Sequence, residues 1–466
     1  MVLFVGKLLP INYPSDIYNI IELGYIKYAN SWFAKSGRVM CMLVFYIMHI
    51  LNIELDSYIF IMKIFSIIFA ISSIYMFYNI LIQVDRNTTI YKRIGYLLAT
   101  ITIFINFSSY QFFYYTESGV MWLGILLVVL AIKTYFFEEK KYVKEALLLF
   151  FSVICYQSMI LIYIPSIILI SFMKNKLDKK DFLINTLIVL INLIIGYVIV
   201  VLFRKIFNTQ KYIILPLSNI GNLKLLYNNI HFVLLLYNDN FPIITVLLLN
   251  YSIIVYEILK IVFSKENKKY IAIPSVIIYI LCFVEVIAIA TITRTYLADR
   301  ILFAYIASIG FNLCYLTKNS NSKIEYIIII LISLFWIIVN CLNSYNLTSW
   351  SYIVKENDKI IGKKVYDIIS NYEKQNNIVL NKIEYCYDKN STRVDYGIRR
   401  TEETTCRAFF GDWIIDNVFN YYCPNHKFIT KYNQDIYEKI FKNKDWDNFS
   451  EEQFEFSGDI LYYCIY

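Results

Sequence analysis

The sequence predicts a polytopic α-helical membrane protein of about ten to eleven transmembrane helices, followed by a small mixed α/β soluble domain. Three observations predict it. From Val39 to Asn343 the chain is a near-continuous series of apolar runs, most of them close to the roughly 20 residues a helix needs to cross a bilayer. Of the 466 residues, 58% are hydrophobic, with a mean hydropathy of +0.52. That balance excludes an ordinary soluble enzyme. The last quarter, residues 344–466, loses this character and reads as a polar tail.

Taken in order, MVLFVGKLLP is apolar but too short to span, and reads as the end of a first helix, which leaves open whether Met1 is the true start. A polar, acidic loop covers residues 13–38. Apolar spans then fall at about 39–56, 58–84, 94–113, 118–137, 146–173, 182–203, 242–263, 271–293, 299–317 and 325–343. Each must be helical, because lipid offers no partners for backbone N–H and C=O groups. A second polar loop, 204–241, interrupts the series. The domains are thus residues 1–343 in the membrane and a tail over 344–466. Within the tail we expect a helix near Lys359–Gln375, a strand in IVLNKIEYCYD and a helix near Trp413–Tyr421.

The net charge of +8 sits mostly in short links such as Lys174–Lys180 and Ser264–Lys269. In such a chain this marks cytoplasmic loops, and no basic stripe interleaved with aromatics suggests nucleic acid. The later half places Arg204–Phe241 and the tail outside the cell membrane. The early half depends on 146–173. As a single crossing it puts residues 13–38 outside; as a hairpin turning at Tyr156–Gln157 it puts them inside. The abundance of Ile, Tyr, Asn and Lys throughout reads as genome composition, so the 43 Tyr are not taken as a carbohydrate-stacking surface.

Three His lie far apart and there is no HExxH and no Gly-rich phosphate loop, so neither a metal site nor a cofactor is expected. Nine Cys occur without a CxxC pair. Cys386, Cys406, Cys423 and Cys464 lie in the tail, where one or two disulfides fit an external location, with connectivity left open.

The densest chemistry is in the first loop. Asp16 stands just past the first apolar segment, and Arg38 follows where the next span opens. The intervening residues have apolar positions at roughly helical spacing, with Asp16, Glu22 and Lys27 between, as in an amphipathic helix lying in the interface. A carboxylate and an arginine at the rim of a membrane cavity suit transfer from a lipid phosphate. The arginine balances the leaving phosphate and the carboxylate takes a hydroxyl proton. The competing reading makes Asp16 a helix N-cap and Arg38 a snorkelling anchor.

The string SDIYNIIELGYIKYANSWFAKSGRVMCMLVF resembles the first extracytoplasmic loop of bacterial glucosyltransferases of the O-antigen conversion type, in the wider GT-C superfamily. The family's acidic pair, Gly, Trp and Gly-Arg correspond here to Asp16, Gly24, Trp32, Gly37 and Arg38, with Ser15 where a first acidic residue often stands. Cys155-Tyr156-Gln157-Ser158 resembles the family's Tyr-Gln element, and Asp299-Arg300 a late span opening with Arg. The resemblance implies transfer of a hexose, glucose first, from a polyprenyl-phosphate donor to a glycan or lipid-linked glycan such as O-antigen, on the outer face of the cytoplasmic membrane. It implies Asp16 as catalytic residue, Arg38 and Arg300 as phosphate contacts, and Trp32, Tyr156 and Gln157 as cavity residues. From placement alone, Arg294, which brackets a short external link with Arg300, is a further candidate phosphate contact, and Glu285, inside the span 271–293, a candidate cavity residue. Arg294 and Arg300 also read as paired span-end anchors, and Glu285 as a structurally paired intramembrane carboxylate. Glu117 reads first as the end of a helix and alternatively as lining the same cavity. The alternatives are a repeat-unit polymerase, whose large loop usually lies mid-chain, and a lipid-linked-sugar flippase or transporter, whose paired halves are not found in this sequence.

Overall fold

The computed structural model describes residues 16–86, 88–139, 141–174, 178–208, 223–235, 241–263, 273–293, 299–388, 394–395, 398–399, 407–410, 414–444 and 450–465. It is mostly helical, with a small C-terminal sheet. In chain order the longer helices are α1 (Ile17–Tyr28), α2 (Val39–Ile50), α3 (Leu55–Val84), α4 (Ile90–Phe104), α5 (Ser118–Phe137), α6 (Lys141–Cys155), α7 (Tyr163–Met173), α8 (Lys179–Ile206), α9 (Leu223–Leu235), α10 (Phe241–Phe263), α11 (Ile273–Thr293), α12 (Phe303–Asn319), α13 (Lys323–Asn376) and α14 (Ile415–Tyr422). The strands are β1 (Lys382–Tyr387), β2 (Val394–Asp395), β3 (Ile398–Arg399), β4 (Ile429–Tyr432), β5 (Phe454–Ser457) and β6 (Ile460–Ile465).

The chain divides into two compact units. The helical unit comprises residues 29–52 and 57–344, and the tail unit the described parts of 1–28, 53–56 and 345–466. Among the described residues, α3, α5, α8 and α13 are long and apolar enough to cross a membrane. Helix α8 shows the physical logic. It exposes Leu183, Leu187, Leu190, Ile191 and Ile194 and buries Asn185, Val189, Asn192 and Gly196. This apolar-out, polar-in pattern is the inverse of a water-soluble helix and is compatible with a surrounding bilayer.

Helices approach closely where side chains are missing. A Cβ on Gly310 of α12 would lie 2.6 Å from the backbone nitrogen of Ile103 and 2.8 Å from the Ala99 carbonyl oxygen of α4. One on Gly196 would meet Val153 of α6. Polar ties reinforce the packing. Asn250 of α10 donates to Ser308 and accepts from Asn312, both on α12. Asp85, just past α3, holds Lys92, Tyr96 and Lys318 together.

Four expected spans have different limits. The 39–56 run is helical only over Val39–Ile50, and α3 begins within it at Leu55. The 94–113 run leaves the α-helix after Phe104, where its polar residues turn the chain, and continues as a 3-10 turn (Ser108–Tyr110) and a single helical turn (Gln111–Tyr114). Asn106 and Ser109 hydrogen-bond to each other's backbone and side chain, and Asn340 of α13 accepts from the Phe107 N–H. This irregular stretch is wholly buried, as non-helical backbone inside an apolar environment must be. The 146–173 run breaks at Tyr156, which is extended between α6 and a 3-10 segment (Gln157–Ile162) leading to α7. Among the described residues α6 and α7 do not pack on one another as the arms of a tight hairpin would. The 325–343 run continues without interruption to Asn376.

In the tail unit β1 lies parallel to both β4 and β6, and β5 pairs antiparallel with β6, giving the order β4-β1-β6-β5. One core joins Ile361, Val365 and Ile369 of α13, Val418 and Phe419 of α14, and Ile383, Leu461 and Tyr463 of the sheet. Tyr18 of α1 enters the same core, so half of the expected interfacial helix is an element of the tail. A smaller cluster contains Cys386, Cys464, Ile436, Tyr437 and Phe441. The short pair β2–β3 stands as a separate two-stranded sheet.

Candidate functional site

Within the helical unit, four sequence-distant segments bring their polar side chains together. The first is the turn before α2. Gly37 takes a left-handed conformation (φ 70°), closing the preceding short helix and releasing Arg38 at the start of α2. The turn is tightly enclosed, since a Cβ on Gly37 would lie 2.2 Å from Val200 of α8 and 3.2 Å from Gln157 Nε2. Gln157 donates to the Ser36 carbonyl at 2.8 Å, and Arg204 Nε donates to the Lys35 carbonyl at 2.8 Å.

Arg38 Nη1 donates to Glu117 Oε1 at 2.6 Å, and its guanidinium lies over the Tyr156 ring, 4.7 Å from the centroid. Glu117 precedes α5, and its Oε2 accepts from Thr116 Oγ1 at 2.9 Å. Its side chain is only 7% exposed, against 21% for Arg38, so water screens this pair weakly. Burial opposes the charge on Arg38. The Glu117 carboxylate beside it favours the charged form, while Arg300 acts in the opposite sense.

Arg300 completes the group from the short turn Asp299–Ile301. Its Nε donates to the Tyr156 hydroxyl at 2.6 Å and its Nη1 to the Tyr115 hydroxyl at 2.9 Å. Its backbone N–H and Nη1 face Gln111 Oε1, at 3.2 and 3.5 Å. The guanidinium also lies 5.1 Å from the Tyr115 ring centroid. One tyrosine therefore connects two arginines, its ring to Arg38 and its hydroxyl to Arg300. Two planar guanidinium forks with a carboxylate beside them can bind a phosphate by several charge-assisted hydrogen bonds and can move a proton nearby.

Of the expected site residues, Arg38, Tyr156, Gln157 and Arg300 come together here. Asp16 belongs to the tail unit, where its carbonyl accepts from the Asn19 and Ile20 N–H groups and so starts α1. Trp32 sits half-buried in a π-helical turn (Ala29–Phe33), with Lys35 Nζ 5.7 Å from its ring. Glu285 lies in α11, its Oε2 buried without a hydrogen-bond partner among the described residues. Arg294 lies outside the described residues. Glu117 does not end a helix but stands at the start of α5, and it is also the carboxylate of the cluster. Gln111 and Tyr115 were not anticipated. The signal for them is the density of Asn106, Ser108, Ser109, Gln111, Thr116 and Glu117 in a stretch otherwise apolar enough to span. Among the described residues no group of His, Cys, Asp or Glu could hold a metal ion.

No protein-family model, curated protein or solved structure matches this chain.

Proposed function

We propose that this chain is an integral-membrane glycosyltransferase that moves a hexose, glucose first, from a polyprenyl-phosphate donor to a surface polysaccharide such as O-antigen. The observation that carries the reading is the junction of Arg38 and Arg300 through Tyr156, beside Glu117. In this reading the bilayer is crossed by ten or eleven helices arranged as in the GT-C superfamily. The tail and the reaction then face outward from the cytoplasmic membrane.

The chemistry follows from charge. The acceptor's hydroxyl oxygen attacks the anomeric carbon, and the bond from that carbon to the phosphate oxygen breaks with inversion. The departing lipid phosphate keeps the electron pair, and Arg38 and Arg300 neutralise it where it develops. Phosphate arriving at Arg38 competes with Glu117 for the guanidinium, which would hand the carboxylate over to the acceptor's hydroxyl proton. Asp16, the carboxylate that the sequence motif implies, enters the test as a separate candidate. No nucleotide sugar and no metal enters this scheme.

The test is a mass comparison of surface glycans from the native host carrying wild-type protein, a deletion, Arg300→Ala, Glu117→Gln and Asp16→Asn. Loss of one hexose per repeat in the deletion and in Arg300→Ala establishes the transferase and its cation site. The carboxylate variant that reproduces the loss identifies the base. Shortened polymer with intact repeats would replace this reading by a polymerase, and unchanged glycan throughout would end it.

A further inference from the structure

Two buried thiols of the tail have no part in that reaction. Cys386 of β1 and Cys464 of β6 are register partners in adjacent parallel strands, so their side chains emerge on the same face of the sheet. Neighbouring strands lie about 4.8 Å apart, inside the roughly 4.4–6.8 Å between Cα atoms that a disulfide accepts. Both residues are fully buried in one small cluster with Ile436, Tyr437 and Phe441. Gln453 Nε2 donates to the Cys464 carbonyl at 3.0 Å, which holds that end of β6 in place. Cys423 packs in the other core, with α14 and α13, and Cys406 lies outside the described residues.

We propose that Cys386 and Cys464 are a disulfide site, oxidised as the tail folds on the external side of the membrane. The pairing rests on the external placement proposed above and is independent of glycosyl transfer. In the structure both are thiols. Once the strands have paired, burial keeps reagents out, so oxidation belongs to folding. A disulfide oxidant first forms a mixed disulfide with one cysteine. The other thiolate then displaces it, the Sγ–Sγ bond forms, two protons leave, and the oxidant departs as two thiols. The product ties together the two inner strands of the sheet.

The experiment uses the full chain in its native host, lysed directly into denaturant that contains an alkylating reagent, so that buried free thiols are blocked before peptide mapping. A peptide linking Cys386 to Cys464 is expected, retained in Cys423→Ala and lost in Cys464→Ala, where Cys386 becomes alkylated. Linkage of either residue to Cys423 or Cys406, or alkylation of both in wild-type protein, overturns the pairing. A Gln375→Cys reporter, at an exposed position, locates the cause. If a membrane-impermeant reagent labels it in intact cells, free thiols refute the pair alone. If labelling requires lysis, they refute the external placement as well. In either case the glycan comparison stands.

Discussion

Tyr156 serves two charges at once, and its two functions separate cleanly by substitution. Phenylalanine keeps the ring under Arg38 but removes the hydroxyl that accepts from Arg300 Nε. A charge-assisted hydrogen bond contributes roughly 1.5–3 kcal/mol, so Tyr156→Phe should lower transfer about ten- to a hundredfold, with alanine lower still. Unchanged activity in the phenylalanine variant would remove Arg300 from the mechanism. Arg38→Ala leaves Glu117 buried opposite an empty position, and breaking such a pair costs about 3–5 kcal/mol. It should therefore reduce thermal stability in detergent as well as activity, and Glu117→Ala should restore part of that stability. Arg38 and Arg300 were legible in the sequence because charges beside apolar spans are conspicuous, and Tyr156 and Gln157 because their short motif resembles one of a known family. Gln111 and Tyr115 were not, because their run reads as an ordinary span until its backbone is seen to break.

Elements meet in this molecule where a side chain is absent. At Gly310 the added methyl of alanine would press on backbone atoms of α4, which cannot rotate aside as a side chain can. Gly310→Ala should cost about 1–3 kcal/mol by overpacking, read as a lower melting temperature. At Gly37 the left-handed backbone itself costs about 1–2 kcal/mol for a non-glycine residue. The clash with Val200 comes on top of it, and Val200→Ala should relieve the clash but not the backbone cost. Equal stability of Gly37→Ala with and without Val200→Ala would show that α8 does not press on the turn. Helix positions follow hydropathy well, since any segment in lipid must satisfy its own backbone. Helix breaks do not, because Asn106 and Ser109 satisfy the turned backbone locally while the acceptor for the Phe107 N–H comes from Asn340, 233 residues away.

At the scale of the whole chain, the tail's folding unit includes α1. Tyr18 is buried in the tail core and its hydroxyl lies 3.3 Å from that of Tyr422, while Asn417 donates to Asn19. Tyr18→Ala should destabilise the tail by about 3 kcal/mol, appearing as faster limited proteolysis between residues 377 and 465. Protection equal to wild type would detach α1 from that core. The tail also carries a pH dependence. Lys382, at 2.6 Å, and Asn433 hydrogen-bond to Glu384 and hold its carboxyl below the usual range. A depressed folded pKa contributes stability above the unfolded value of about 4.3 and loses it as pH falls through the folded one. Wild type should therefore exceed Glu384→Gln in stability near pH 6, and the difference should vanish on acidification. A difference that persisted in strong acid would assign the effect to packing.

The sequence by itself determined the apolar, largely helical character of the described residues between 39 and 343, the polar tail with its helices and strand, and four of the polar residues that gather in the site. These are local properties, set by hydropathy and by the backbone's need for hydrogen-bond partners within each segment. Only the tertiary structure decided that Glu117 is the carboxylate held by Arg38, that Tyr156 links two arginines, that Cys386 stands beside Cys464, and that α1 packs in the tail core. Each of those depends on contacts between segments far apart in the chain, and no local pattern specifies which distant group will fill a given gap.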